Sequence, residues 1–139
     1  MTLPVRGFVF QWPSTSRTMR KYCRTCKHPF VIRAGGRYRG RHNIKYCSDR
    51  CREAALVARR HRQRAAEARA PGDDFDAVEW LVILDRSRGF CEGCGVAGVP
   101  LTVDHITPLA AGGSNEADNL RAVCQRCNSA NQPAEKRRG

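Results

Sequence analysis

The sequence predicts a small α+β protein assembled from two zinc-clamped modules joined by a basic helix, and three observations predict it. Eight cysteines fall into four close pairs: Cys23 with Cys26, Cys47 with Cys51, Cys91 with Cys94, and Cys124 with Cys127. Between the last two pairs the chain reads as strand, long loop, strand and short helix, a ββα unit. Finally, 139 residues leave room for one ordinary domain or two small ones, and neither half can bury much apolar core unaided. Metal must therefore supply structural stability. A structural zinc contributes on the order of 10–16 kcal/mol of apparent binding free energy, comparable to the whole stability of a small domain.

Residues 1–18 read as a disordered arm and residues 19–52 as a four-cysteine finger. Its pairs, Cys23-x2-Cys26 and Cys47-x3-Cys51, are separated by 20 residues, a spacing that suits one tetrahedral all-thiolate zinc. The intervening PFVIRAGGRYRGRHNIKY predicts a β-hairpin turning at Ala34 to Gly36, and Ser48 is placed to cap the helix that begins at the second pair. His28 and His42 offer imidazoles, but four thiolates complete the site without them.

The helix runs on from Ser48 to about Arg69, and residues 53–70 form a basic helix and linker. Leu56 and Val57 are its only large apolar side chains. Arg50, Arg52, Arg59, Arg60, Arg62 and Arg64 fall all round the axis at 100° per residue, which predicts no core-facing side. Such a helix is either a nucleic-acid-binding rod or a solvated spacer, and the net +4 of residues 48–70 favours binding, which makes these arginines the candidate DNA-binding residues.

Residues 71–133 form the second module and residues 134–139 a basic tail. Asp74 is expected to cap a helix whose packing face is Phe75, Val78, Leu81, Val82 and Leu84 and which ends near Gly89. Trp80 reads as a core or interface residue. Cys91, Cys94, Cys124 and Cys127, with 29 residues between the pairs, supply a second structural zinc site. Leu101–His105 and Asn119–Val123 are the expected strands, with Pro108 and Gly112-Gly113 in the loop between them and a short helix ending before Pro133.

This unit gathers Asp104, His105 and Asn128. A carboxylate and an amide oxygen suit a hard cation such as Mg²⁺, and a neutral imidazole can take a proton from water near pH 7. Adjacent residues on a regular strand point to opposite faces, so Asp104 and His105 share a site only if the strand ends or twists there.

Residues 1–70 hold 18 Lys+Arg against 3 Asp+Glu, or +15, whereas residues 71–139 hold 7 against 10, or −3. Each four-thiolate zinc centre adds about −2 to that count. The anchor for a polyanion is thus the N-terminal half. No apolar leader segment, membrane span, lipidation signal or low-complexity repeat is visible, so the cysteines are expected in a reducing cytoplasm rather than in disulfides. Arginine outnumbers lysine 21 to 4, as GC-rich codons produce, which suggests a GC-rich bacterium or one of its phages.

The motifs CEGC at 91, VDHITP at 103, AGG at 111, NL at 119 and CQRCN at 124 together resemble the HNH (ββα-metal, treble-clef-like) endonuclease family, over about residues 75–131. The resemblance implies that His105 is the general base. It implies that Asp104 and Asn128 hold a catalytic divalent ion, Mg²⁺ or Mn²⁺, and that Asn119 braces the loop presenting His105. It implies hydrolysis of DNA to 5′-phosphate and 3′-hydroxyl ends by nicking or double-strand cleavage. The chain departs from the family pattern at Asn128, where the last motif position is histidine in other members and an oxygen ligand here, and at Asn131, where the family often has lysine. YCSDRCREAA is similar to small zinc fingers ahead of HNH domains in phage proteins, which implies genome packaging or homing, with terminase or other packaging proteins as partners. The competing class is a non-catalytic zinc-dependent DNA-binding or assembly factor.

Overall fold

A computed structural model describes residues 18–33 and 44–131. Residues 1–17 of the arm expected over 1–18, the turn at Ala34 to Gly36, His42 and the basic tail lie outside the described residues, whereas Thr18 opens a strand. In the finger, β1 (Thr18–Tyr22) pairs antiparallel with β2 (Pro29–Arg33), from Thr18 opposite Arg33 to Tyr22 opposite Pro29. The knuckle Cys23–Cys26 is the turn between these strands. Cys23 N–H donates to His28 O at 2.9 Å and Lys27 N–H to Cys23 O at 3.0 Å. Among the described residues PFVIR pairs with the strand before the knuckle, which the sequence did not mark. TMRKY is largely exposed, so no alternation of apolar and polar residues announces it.

Helix α1 (Asp49–Glu67) is capped by Ser48, whose Oγ accepts from Cys51 N–H at 3.2 Å. Contrary to the sequence expectation, α1 does have a core-facing side, formed by Cys51, Ala54, Ala58 and Ala65. The stripe has helical spacing, but alanines add little to an apolar count. Their use lies in letting two helices approach closely, and α1 packs on α2 (Ala77–Ser87). Ala54 and Ala58 share one buried cluster with Phe75, Trp80, Ile83, Val103, Leu120 and Ala122, so the helix belongs to the same core as the second module. A boundary at 70/71 divides that core.

Asp76, rather than Asp74, caps α2. Glu79 N–H donates to Asp76 Oδ1 at 2.8 Å and Asp76 N–H to Glu79 Oε2 at 2.9 Å, a reciprocal capping box that only the residue three before Glu79 can make. The buried residues of α2 are Trp80, Ile83 and Ser87. Val78 and Val82, expected in the packing face, are 45% and 61% exposed, because Phe75 precedes the helix and its position does not extend the helical stripe.

Strands β3 (Leu101–His105) and β4 (Leu120–Cys124) form an antiparallel pair with Asp104 opposite Arg121 and His105 opposite Leu120. Alternation places Val103, His105, Leu120 and Ala122 on the face toward α1 and α2. Thr102, Asp104 and Arg121 lie on the other face, against α3 (Gln125–Ala130). Glu92 ties the knuckle to this sheet. It accepts from Arg86 Nε and Nη2 at 2.9 and 3.0 Å and from Ala122 N–H at 2.6 Å. Burial pushes its carboxyl up, yet the Arg86 and backbone donors outweigh that and hold it below its ordinary value. No described helix is long and apolar enough to cross a membrane.

Candidate active site

Each cysteine set converges on a point. The four Sγ atoms of Cys23, Cys26, Cys47 and Cys51 lie within 4.8 Å of one another, as do those of Cys91, Cys94, Cys124 and Cys127. A tetrahedron with zinc–sulfur bonds of about 2.3 Å has sulfur–sulfur edges of about 3.8 Å, and the observed separations include 3.6, 3.7 and 3.8 Å. These are far beyond a disulfide bond of about 2.05 Å. The donor set and spacing therefore fit zinc, and each tetrad could hold one ion.

Burial and hydrogen bonds to the sulfurs shift the thiols of each set in opposite directions. Burial pushes the Cys91 thiol up, but N–H groups of Cys94, Cys124 and Gly93 aimed at Sγ outweigh it and lower the group to about 6. Its neighbour Cys127 goes the other way, to about 12, mainly through hydrogen bonds with the Cys124 and Cys94 sulfurs. The finger repeats the pattern. Cys23 falls to about 6 as backbone N–H groups overcome burial, and Cys47 rises to about 12 through burial and contact with Cys26. Four thiolates this close ionise together only around a positive ion.

Asp104, His105 and Asn128 line one cleft of about 700 Å³, with His61, Arg64 and Glu67 from α1 and Asn131 from the end of α3. The opposite-face difficulty is resolved at the sheet edge. β3 is an edge strand and ends at His105, so a cleft along that edge receives side chains from both faces. Asp104 is 6% exposed, and its Oδ2 accepts from Arg121 Nε at 2.7 Å and Asn131 Nδ2 at 3.0 Å. Asn131, which stands where the family often has lysine, thus contacts the Asp104 carboxylate.

The orientation of Asn128 follows from donor counting. Thr102 Oγ donates its single proton to Val123 O at 3.2 Å, so toward Asn128 it can only accept. Asn128 Nδ2 is the donor, at 3.1 Å, which turns its Oδ1 away from Thr102. Asn119 holds the connecting loop. Its Nδ2 donates to Thr107 O at 3.0 Å and Ser114 O at 2.7 Å, while its Oδ1 accepts from Thr107 N–H at 2.8 Å. Gly113 is packed so tightly there that a Cβ would lie 1.9 Å from Thr107 O, so no side chain is tolerated.

Two residues in or beside the cleft escaped the sequence reading. Asn115, 1% exposed, has Oδ1 2.9 Å from His105 Nε2 and Nδ2 2.8 Å from Asp74 Oδ1. Only its place in a Gly/Ser/Asn loop was visible beforehand, and that signals a turn. His61 comes from α1, with its ring centroid 5.6 Å from that of His105 and 5.9 Å from that of Phe75, and its buried Nδ1 has no hydrogen-bond partner. A single histidine in an arginine-rich helix carries no motif.

Burial, with repulsion from His105, Arg64 and Arg60, lowers His61 to about 4. The unfolded chain accepts this proton near pH 6.5 and the folded protein resists it, so this contribution to stability is complete above pH 6.5 and is lost as pH falls toward 4. His61→Phe keeps the aromatic bulk and cannot titrate. Compared with wild type in urea unfolding at matched zinc, it is expected to lose part of the stability decline between pH 6.5 and 4. Identical declines would contradict the assignment.

Of the candidate DNA-binding arginines, Arg50, Arg52 and Arg62 pair with Asp85, Asp49 and Asp74. Arg59, Arg60 and Arg64 are exposed and form no ion pair among the described residues.

Two cysteine-clamped units that could each bind zinc, the second a ββα unit with a carboxylate, an imidazole and an amide in one cleft, are consistent with a ββα-metal module preceded by a second zinc site. Residues 91–133 match the HNH endonuclease family model. The type IV methyl-directed restriction enzyme EcoKMcrA of Escherichia coli (strain K12) is 42% identical over 53 residues, which cover 32% of this chain and 19% of the relative. The similarity therefore spans about a fifth of that relative's length. The finger, α1 and α2 all lie outside the segment matched to the family.

Proposed function

We propose that the protein is a metal-dependent HNH endonuclease that hydrolyses DNA phosphodiester bonds. The observation that carries this reading is the cleft in which Asp104, His105 and Asn128 meet although neighbouring positions leave β3 on opposite faces. The HNH match and the restriction-enzyme relative support DNA endonuclease activity in general terms. His105 accepts a proton from the attacking water. Asp104, whose two donors both take Oδ2, and Asn128, whose Oδ1 is turned from Thr102, hold a divalent ion, Mg²⁺ or Mn²⁺, by hard oxygen atoms. When bound, that ion neutralises charge at the scissile phosphate and the leaving 3′-oxygen. The finger placed ahead of the nuclease module supports a setting in phage genome packaging or homing.

A metal titration tests the ligand assignment. Loss of outer-shell support alone costs about 10- to 100-fold in metal affinity, so Asp104→Ala and Asn128→Ala are each expected to raise the half-saturating Mg²⁺ or Mn²⁺ concentration for cleavage by at least about 10-fold. DNA affinity should change little. Unaltered metal dependence in both variants would remove these residues from the ion.

Exposed Arg59, Arg60 and Arg64 anchor the DNA backbone, with Arg64 at the rim of the cleft. Each phosphate neutralised on B-DNA contributes a slope of about −0.9 to log K against log salt. The triple alanine variant is therefore expected to bind more weakly, with a slope shallower by roughly 2–3 units if each arginine meets one phosphate. An unchanged slope would move the anchor elsewhere.

A further inference from the structure

We propose that Asp74 and Asn115 are positioning residues that lock His105 in the tautomer with its proton on Nε2 and its lone pair on Nδ1. The inference rests on the reading of His105 as the base and adds how its basic nitrogen is chosen. Asp74 Oδ1 lies 2.8 Å from Asn115 Nδ2, and Asn115 Oδ1 lies 2.9 Å from His105 Nε2. An ionised carboxylate can only accept, so the Asn115 amide presents NH₂ to Asp74 and its carbonyl to His105. A carbonyl also only accepts, so His105 Nε2 must donate. A neutral imidazole has one N–H, and Nδ1 is left as the proton acceptor.

The surroundings favour this role over plain loop support. Asn115 is 1% exposed, and a buried amide is costly unless both ends are satisfied; here each end has its partner. The loop is braced separately by Asn119 through three hydrogen bonds. Asp74 belongs to the segment before α2, outside the matched residues 91–133, and is carried to Asn115 by its neighbour. Phe75 is fully buried, and its N–H donates to Asn115 O at 2.9 Å. His61 lies on another side of the same imidazole, with ring centroids 5.6 Å apart. The carboxylate charge strengthens the relay, because hydrogen bonds to an ionised group are the stronger ones.

The test uses the full-length, zinc-loaded, ¹⁵N-labelled protein, with the His105 ring signals identified by their loss in His105→Gln. Long-range ¹H–¹⁵N spectra above the titration range should show a protonated Nε2 and an unprotonated Nδ1. Asp74→Ala, at a side chain 35% exposed, should move both nitrogens toward averaged shifts and lower kcat for DNA nicking about 10- to 100-fold, with KM nearly unchanged. Asp74→Asn, which can still offer a carbonyl to Asn115, should keep the wild-type tautomer and recover kcat to within about threefold. A wild-type His105 protonated on Nδ1, or Asp74→Ala with wild-type tautomer and kcat, would overturn the relay. The nuclease reading fails separately, through His105→Gln cutting as fast as wild type, and the spectra judge the tautomer lock in either case.

Discussion

His105→Ala is expected to cut DNA cleavage by about 10²- to 10⁴-fold, the usual cost of losing a general base, while DNA affinity stays close to wild type. The two effects separate because the imidazole is aimed at the cleft from the end of β3, whereas the unpaired arginines are on α1. Some stability should be lost as well. Removing the imidazole leaves the buried Asn115 carbonyl without its donor, a penalty of about 1–3 kcal/mol. Activity should therefore be compared well below the melting temperature, in single-turnover nicking assays with matched binding curves. Wild-type nicking by the variant would sink the assignment of His105.

Removal of zinc from the second site is expected to unfold the HNH module. The apparent binding free energy of a structural zinc, on the order of 10–16 kcal/mol, matches or exceeds the net stability of a small domain, and among the described residues the buried cluster around this site is small: Cys91, Val123 and Cys124, with Leu101 and Cys127 against it. Cys91→Ala should be especially damaging, since three backbone N–H groups converge on its sulfur. Gly93 is confined too, with a Cβ falling 3.0 Å from Cys127 Sγ. Cys23→Ala should abolish the finger and, because Cys51 lies in the first turn of α1, also loosen the α1–α2 contact. Elemental analysis should give close to two zinc ions per wild-type chain, and circular dichroism should follow the loss of structure on chelation. A zinc-free protein that is fully folded would contradict this.

The parts legible in the sequence are those with periodic or paired signals. Both cysteine tetrads, β3, the returning strand and the residues brought to the cleft are each marked by spacing, alternation or a short motif. The failures share a cause, which is that the structural role carried no chemical label. The alanines of α1 pack by being small, so a count of large apolar side chains missed its buried face. Asp74 and Asp76 are chemically alike, and only the reciprocal bond with Glu79 separates the cap from the partner of Asn115. His61 reaches the cleft, and Asn115 reaches the His105 ring, through tertiary packing, and no local pattern records either meeting.

The central claim is that this cleft hydrolyses DNA with the help of a divalent ion distinct from the structural zincs. The most direct measurement is cleavage of supercoiled plasmid by the zinc-loaded protein, with no added ion, with Mg²⁺ and with Mn²⁺, while zinc content is monitored throughout. Nicked or linear product that appears only with added Mg²⁺ or Mn²⁺ and is lost in His105→Ala is the predicted result. Intact plasmid under every condition, from a folded protein that retains both zincs and binds DNA, would contradict it and favour a non-catalytic DNA-binding or assembly factor.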